Sequence, residues 1–176
     1  AVNLGKPVII RYPRGGEGKE KIEKHNIIEY GKSEIIKEGK DISIIAIGKM
    51  VSKAIEVSNK LSEQNIDSEI INVRFLKPLD KEKIVQSIRK TKNVITIEDG
   101  IIISGLASSV KELIVDENLE KIKFKAFAYP DEFIKHGKVE ELEKIYNLDP
   151  ENIANDIKKL VNSDKWKELK WKNKKF

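Results

Sequence analysis

Ile42-Ser43-Ile44-Ile45-Ala46-Ile47 is the stretch whose reading decides the fold. It is almost wholly apolar and rich in isoleucine, with no polar alternation. That pattern belongs to a strand buried on both faces of a parallel sheet. Gly39-Lys40-Asp41 turns the chain into it, and Glu34–Glu38 reads as a short edge strand just before. The two segments are expected to pair as a hairpin.

Downstream, strand-like and helix-like segments alternate. Val51, Ala54, Ile55, Ser58 and Leu61 share one helical face, and Ser68 to Val73 reads as the next strand. Pro78 ends an extended run, after which Asp80 can cap a helix with Ile84, Val85 and Ile88 inward. Val94 to Ile97 is a strand ending in Glu98-Asp99-Gly100. Ser104 to Val115 is a helix, and Ile122 to Ala128 the last strand. Asp149 as N-cap and Pro150 in the first turn open a final helix whose stripe is Ile153, Ile157, Leu160 and Val161. The fold class is therefore α/β: an open, mainly parallel sheet with one antiparallel edge strand and helices on both faces.

Upstream, Val8-Ile9-Ile10 is another apolar β-branched run, followed by Arg11-Tyr12-Pro13-Arg14-Gly15-Gly16. A buried strand needs neighbours, so the reading expects a larger domain before it. In an extended chain Tyr12 and Arg14 share one face and Arg11 points the other way. Pro13 stiffens the step that aims Arg14, and the two glycines permit close approach of a phosphate. Arg14 is thus a candidate anion-binding residue; the alternative is a surface arginine paired with a carboxylate. Residues 17–33 are polar and glycine-punctuated, as in a linker.

Composition narrows the function classes. The 176 residues are 36% charged, contain no cysteine, and show neither a signal peptide nor an apolar run of membrane-spanning length. Disulfides and thiolate metal sites are excluded, and the cytoplasm is the expected location. The net charge of +5 is concentrated in residues 162–176, where six lysines face Asp164 and Glu168. With few arginines elsewhere, nucleic-acid binding is not expected. Arg74 most simply serves a neighbouring carboxylate or loop carbonyls. Glu98 and Asp99 could meet a metal or ribose, but loop capping is the simpler use. His25 and His136 lack a nucleophile or second ligand nearby in sequence.

Several strings together are similar to a known family. They are Arg-Tyr-Pro-Arg-Gly at 11–15, Gly31-Lys32, Arg74-Phe-Leu-Lys-Pro-Leu-Asp80, Glu98-Asp99 with Gly105, Pro130-Asp131 through Phe133-Ile134 to His136-Gly137, and Leu148-Asp149. From Lys6 to Val161 the chain resembles the C-terminal part of the 1-deoxy-D-xylulose-5-phosphate synthases, thiamine-diphosphate enzymes of the transketolase family. The resemblance implies a three-domain cytoplasmic homodimer that condenses pyruvate with glyceraldehyde 3-phosphate and loses CO2, supplying isoprenoid, thiamine and pyridoxal precursors.

On that basis residues 1–16 hold the last strand of a truncated pyrimidine-binding domain and 17–33 a linker. Residues 34–161 form a transketolase C-terminal-like domain, and 162–176 a lysine-rich tail. Thiamine diphosphate and Mg2+ would be held by the missing N-terminal domains and not by this chain. It would carry no catalytic residue and no turnover alone, while Arg14 would grip the phosphate of glyceraldehyde 3-phosphate. The family usually has a glycine pair where this chain has Ser104-Gly105. Two other readings stand beside this one: a non-catalytic assembly subunit of a split transketolase-like enzyme, and a 2-oxoacid decarboxylase beta subunit.

Overall fold

The computed structural model describes Gly5, residues 7–9 and residues 27–172, with side chains as far as Asn162. Ten elements follow in order: β1 (Glu34–Lys37), β2 (Ile42–Ala46), α1 (Met50–Ser62), β3 (Ser68–Asn72), α2 (Lys81–Thr91), β4 (Asn93–Ile101), α3 (Leu106–Asp116), β5 (Lys123–Tyr129), α4 (Val139–Ile145) and α5 (Pro150–Lys172). The strands form one sheet in the order β1-β3-β2-β4-β5. β3, β2, β4 and β5 run parallel, and β1 is antiparallel to β3. This is the open, mainly parallel sheet with one antiparallel edge that the sequence indicates.

Every residue of β2 is buried, because both its neighbours are strands and both its faces carry helices. Ile42, Ile44 and Ala46 pack with Ala54, Val57 and Leu61 of α1 and with Ile153 and Ile157 of α5. Ile45 points the other way, among Ile84 and Ile88 of α2 and Val110 and Leu113 of α3. Ser43 shares that second face, its Oγ 2.5 Å from Ser87 Oγ and 2.7 Å from Thr91 Oγ1. Beside it the buried Glu69 accepts from the Ser87 hydroxyl and pairs with the Lys90 ammonium. Lys90 also reaches Glu38, 3.1 Å away.

The expected hairpin between the first two strands does not form. The chain leaving β1 passes across the start of β3, where Lys40 N and Asp41 N donate to Asp67 O at 3.2 and 2.9 Å. β3 is thereby inserted between β1 and β2. Gly39 makes the crossing possible: a Cβ there would lie 2.2 Å from the Ser68 carbonyl carbon. A fully apolar strand is best placed in the interior, and the half-exposed Glu34–Lys37 is better suited to the edge.

Three further features bear on the sequence reading. Pro7, Val8 and Ile9 belong to no strand, and Val8 and Ile9 are exposed. The strand expected there was to pair with a preceding domain, so the described residues do not test it. Ile10 and the rest of that run, with Arg11, Arg14 and His25, lie outside the described residues. Next, β4 continues to Ile101, so Glu98-Asp99-Gly100 falls inside it, where the pairing with β5 becomes irregular between Ile97 and Ile101. Last, the backbone of α5 stays helical to Lys172, so most of the lysine-rich segment is continuous with the final helix.

Capping follows the sequence closely. Asp149 Oδ1 accepts from Glu151 N and Asn152 N at 3.2 and 3.1 Å, and Pro150 opens α5. Lys125 of β5 then holds Asp156 of α5 at 2.5 Å.

Three outcomes test this packing. Gly39→Ala should destabilise the fold by about 1–3 kcal/mol in urea titrations, since the new methyl meets backbone rather than a yielding side chain. Lys90→Met strands the Glu69 carboxylate and should cost about 1–3 kcal/mol, the half-exposed lysine moderating the effect. The bond from Lys125, and then that from Lys159, holds the Asp156 carboxyl below its usual range. Its contribution is therefore present above the ordinary carboxylate pKa and is lost as pH falls through the lowered folded value. Asp156→Asn should remove that slope, an effect of about 0.5 kcal/mol in acid titrations of stability.

Candidate functional site

Open α/β sheets bind ligands outside the carboxyl ends of their strands, where the strand order reverses. Here the chain leaves β2 for β3 on one side while β4 lies on the other, so the crevice opens between β2 and β4. Gly48 and Lys49 follow β2 at its mouth, facing the Glu98-Asp99 step of β4. An ion pair crosses the gap, with Lys49 Nζ 2.9 Å from Asp99 Oδ2. That bond raises the Lys49 pKa, outweighing its partial burial.

Glu98 is buried and turned toward the start of α3, where it accepts from Leu106 N at 2.8 Å and Ala107 N at 2.9 Å. A carboxylate there takes up unsatisfied helix N–H groups and complements the helix dipole. The loop-capping use of Glu98 is therefore the one observed, and the anion position of α3 is filled from within. Gly105 is what lets the carboxylate in: a Cβ would lie 2.0 Å from Glu98 Oε2. Ser104 adopts φ +60°, a left-handed conformation that glycine accepts more readily.

The β3 end is satisfied in the same way. Arg74 Nη2 donates to Glu34 Oε2 at 2.5 Å, joining the β3–α2 loop to the edge strand, as the carboxylate-pairing alternative expects. Asp80 caps α2 through Lys83 N at 3.5 Å and also accepts from Ser33 N at 2.8 Å. Lys83 Nζ returns to Ser33 O at 2.6 Å. Gly31, at φ +74°, packs so closely on Pro78 that a Cβ would sit 2.8 Å from its Cγ. The Tyr30 and Phe75 rings meet edge to face at 5.5 Å. These contacts explain why Gly31-Lys32 and the Arg74–Asp80 string belong together.

Beyond β5 the chain makes a loop over residues 130–138 and then α4. Lys53 of α1 pairs with Glu143 of α4 at 2.5 Å in a largely buried setting and donates to Leu148 O at 2.9 Å. Tyr129 and Tyr146 pack edge to face, 5.4 Å apart. Tyr146 Oη donates to Glu132 Oε1 at 3.1 Å. Burial first, then the Glu143 and Asp99 charges, raises the Tyr129 pKa. His136 is exposed in this loop.

The structure thus brings Arg74, Asp80, Glu98, Asp99 and His136 to one edge of the sheet, yet engages the four charged groups in internal bonds. Among the described residues no three His, Asp or Glu side chains are grouped to hold a metal ion. The Lys49–Asp99 and Lys53–Glu143 pairs were not read from the sequence. Their one signal is the spacing of Lys49 and Lys53, four residues apart on one helical face.

A family profile described as "Transketolase, C-terminal domain" matches residues 31–153. The chain is 42% identical over 162 residues to the 1-deoxy-D-xylulose-5-phosphate synthase of Halothermothrix orenii, covering 92% of this chain and 26% of that one. It is 41% identical over 161 residues to that of Clostridium tetani, with the same two shares of 92% and 26%. The chain spans about a quarter of the length of these curated relatives. Among solved structures, a split-gene transketolase described as an inactive beta4 tetramer superposes with a TM-score of 0.70 at 31% identity, over 77% of this chain and 44% of that one. A transketolase of Pichia stipitis shares the fold, with a TM-score of 0.56 at 20% identity over 77% of this chain and 18% of the other.

The α3 junction yields two opposite expectations in thermal or urea unfolding. Gly105→Ala should displace the Glu98 carboxylate and destabilise by about 2–3 kcal/mol. Ser104→Gly should be neutral or stabilise by up to about 1 kcal/mol, because it relieves the left-handed serine.

Proposed function

Because the chain belongs to the transketolase C-terminal domain family, we propose that it is the closing domain of a thiamine-diphosphate-dependent transferase. That enzyme condenses pyruvate with glyceraldehyde 3-phosphate, releases CO2 and forms 1-deoxy-D-xylulose 5-phosphate. The observation that carries this reading is the 42% identity to a synthase of that name over 162 residues. The Pro130–Gly137 string also favours it over a 2-oxoacid decarboxylase beta subunit.

The described residues do not fit thiamine diphosphate or Mg2+. No acidic cluster is available for the metal, and the first turns of α2 and α3, where a diphosphate could sit, already hold Asp80 and Glu98. No chemical step is therefore assigned to this domain. The cofactor and metal belong to other domains of the full-length enzyme, which works as a cytoplasmic homodimer. No helix among the described residues is long and apolar enough to cross a membrane.

Arg14 holds the phosphate of glyceraldehyde 3-phosphate. The Tyr12-Pro13-Arg14-Gly15 string supports this role, since a stiffened step presents a guanidinium beside a residue that admits close approach. By fixing the phosphate, Arg14 orients the acceptor aldehyde toward the reacting centre. A second reading, favoured by the likeness to the split-gene transketolase, makes this chain a separately encoded assembly subunit. The coding sequence upstream of Ala1 separates the two: in-frame cofactor-binding motifs support the first, a start codon the second.

In the full-length enzyme, Arg14→Ala should lower kcat/KM for glyceraldehyde 3-phosphate by roughly 10- to 150-fold, the equivalent of about 1.5–3 kcal/mol. The KM for pyruvate should change little. Equal rates for mutant and parent at low aldehyde concentration would refute the assignment. The 176-residue chain alone, given both substrates, thiamine diphosphate and Mg2+, should show no turnover.

A further inference from the structure

We propose that the last turns of α5, with the lysines that follow them in sequence, form a docking strip for an anionic lipid surface, with Trp166 and Leu169 as its apolar line. The inference goes beyond the closing-domain reading and does not rest on it. The transketolase C-terminal profile ends at residue 153, and the strip lies past it.

The register of α5 places the strip. Ile153 and Ile157 are buried in the core shared with α1, and Leu160 and Val161 pack against it. On the other side of the helix Asn155, Lys158 and Lys159 are exposed. Asn155, Lys159, Asn162, Trp166 and Leu169 succeed one another at steps of four and three residues. Trp166 and Leu169 therefore fall in line with the exposed side of the helix and not with its core side. The core line itself changes character after Val161, where Asp164 and Glu168 fall on it and Trp171 follows. A helix continued by packing would keep apolar residues on that line. The backbone nevertheless runs on as helix to Lys172. The segment thus carries an apolar pair where the domain core has no use for it.

Charge and residue type select the occupant. Residues 162–176 hold six lysines against Asp164 and Glu168, and so carry +4 of the chain's net +5. Lys165 and Lys170 border the Trp166–Leu169 line, one on each side, and the segment contains no arginine. Lysine is a strongly hydrated point charge suited to diffuse attraction toward a layer of headgroups, whereas reading a base or gripping a single phosphate favours the arginine fork. Both tryptophans of the chain, Trp166 and Trp171, lie in this segment. An indole combines an apolar body with one N–H donor and settles at the boundary between hydrocarbon and water. Lysines around a tryptophan and a leucine match the surface of an anionic bilayer, on which such a helix lies without crossing it.

Trp166 and Trp171 are the chain's only tryptophans and report on the strip themselves. Phosphatidylcholine vesicles containing about one third phosphatidylglycerol should bind the 176-residue chain at least about tenfold more tightly than phosphatidylcholine alone in co-sedimentation. The same vesicles should shift tryptophan emission to the blue. Removing two charges, Lys165→Gln together with Lys170→Gln, should weaken binding about 25-fold, roughly fivefold for each. Trp166→Ser should weaken it as well, with Trp171 left to report. Both variants should keep the parent's thermal unfolding midpoint, since none of these positions lies on the core line of α5. No binding, or equal binding to neutral and anionic vesicles, would overturn the proposal. So would sedimentation without a change in emission, which puts the contact elsewhere, or either variant binding like the parent. Capture by polyuridylate with no response to vesicles would assign the strip to nucleic acid instead.

Discussion

Two-sided burial of β2 is the constraint from which the rest of the architecture follows. A strand with no exposed residue must have a strand on each flank and a helical layer on each face. The α1/α5 layer fills one side and the α2/α3 layer the other. Parallel pairing of β2 with both neighbours then sends the following loops to one edge. That geometry brings Lys49 to Asp99, and Arg74 to Glu34, although each pair is distant in sequence.

At that edge the domain differs from a ligand-binding α/β sheet in how its polar groups are used. The first turns of α2 and α3, which could serve a phosphate, are capped by the protein's own carboxylates. The crevice between β2 and β4 is spanned by an ion pair. What the edge still exposes is apolar surface, with Ile101 and Ile103 at the end of β4 and Phe133 and Val139 beyond β5.

Much of this was legible in the sequence because the relevant forces act between near neighbours. The apolar period of α1, the Asp80 and Asp149 caps, and the unbroken apolar run of β2 depend on residues within a turn or two of each other. Arg74 and Glu98 were also read correctly as structural, since a charged group near a loop or helix start has a satisfied partner more often than a ligand. The pairing of β1 was not legible. An edge strand followed by Gly39-Lys40-Asp41 satisfies local rules equally well as a hairpin arm or as a crossing over β3.

The sequence by itself determined the alternation of strands and helices, the two-faced burial of the central strand, the caps and the strings that mark the family. Only the tertiary structure decided that β3 inserts between β1 and β2, that the Glu98 carboxylate occupies the first turn of α3, and that Lys49 and Lys53 tie the start of α1 to β4, to α4 and to the chain before α5. The physical reason is range. Periodicity and capping are written within a few residues, whereas strand order and ion pairing are settled by groups that chain folding alone brings into contact, with backbone hydrogen bonding and close packing choosing among local alternatives of nearly equal merit.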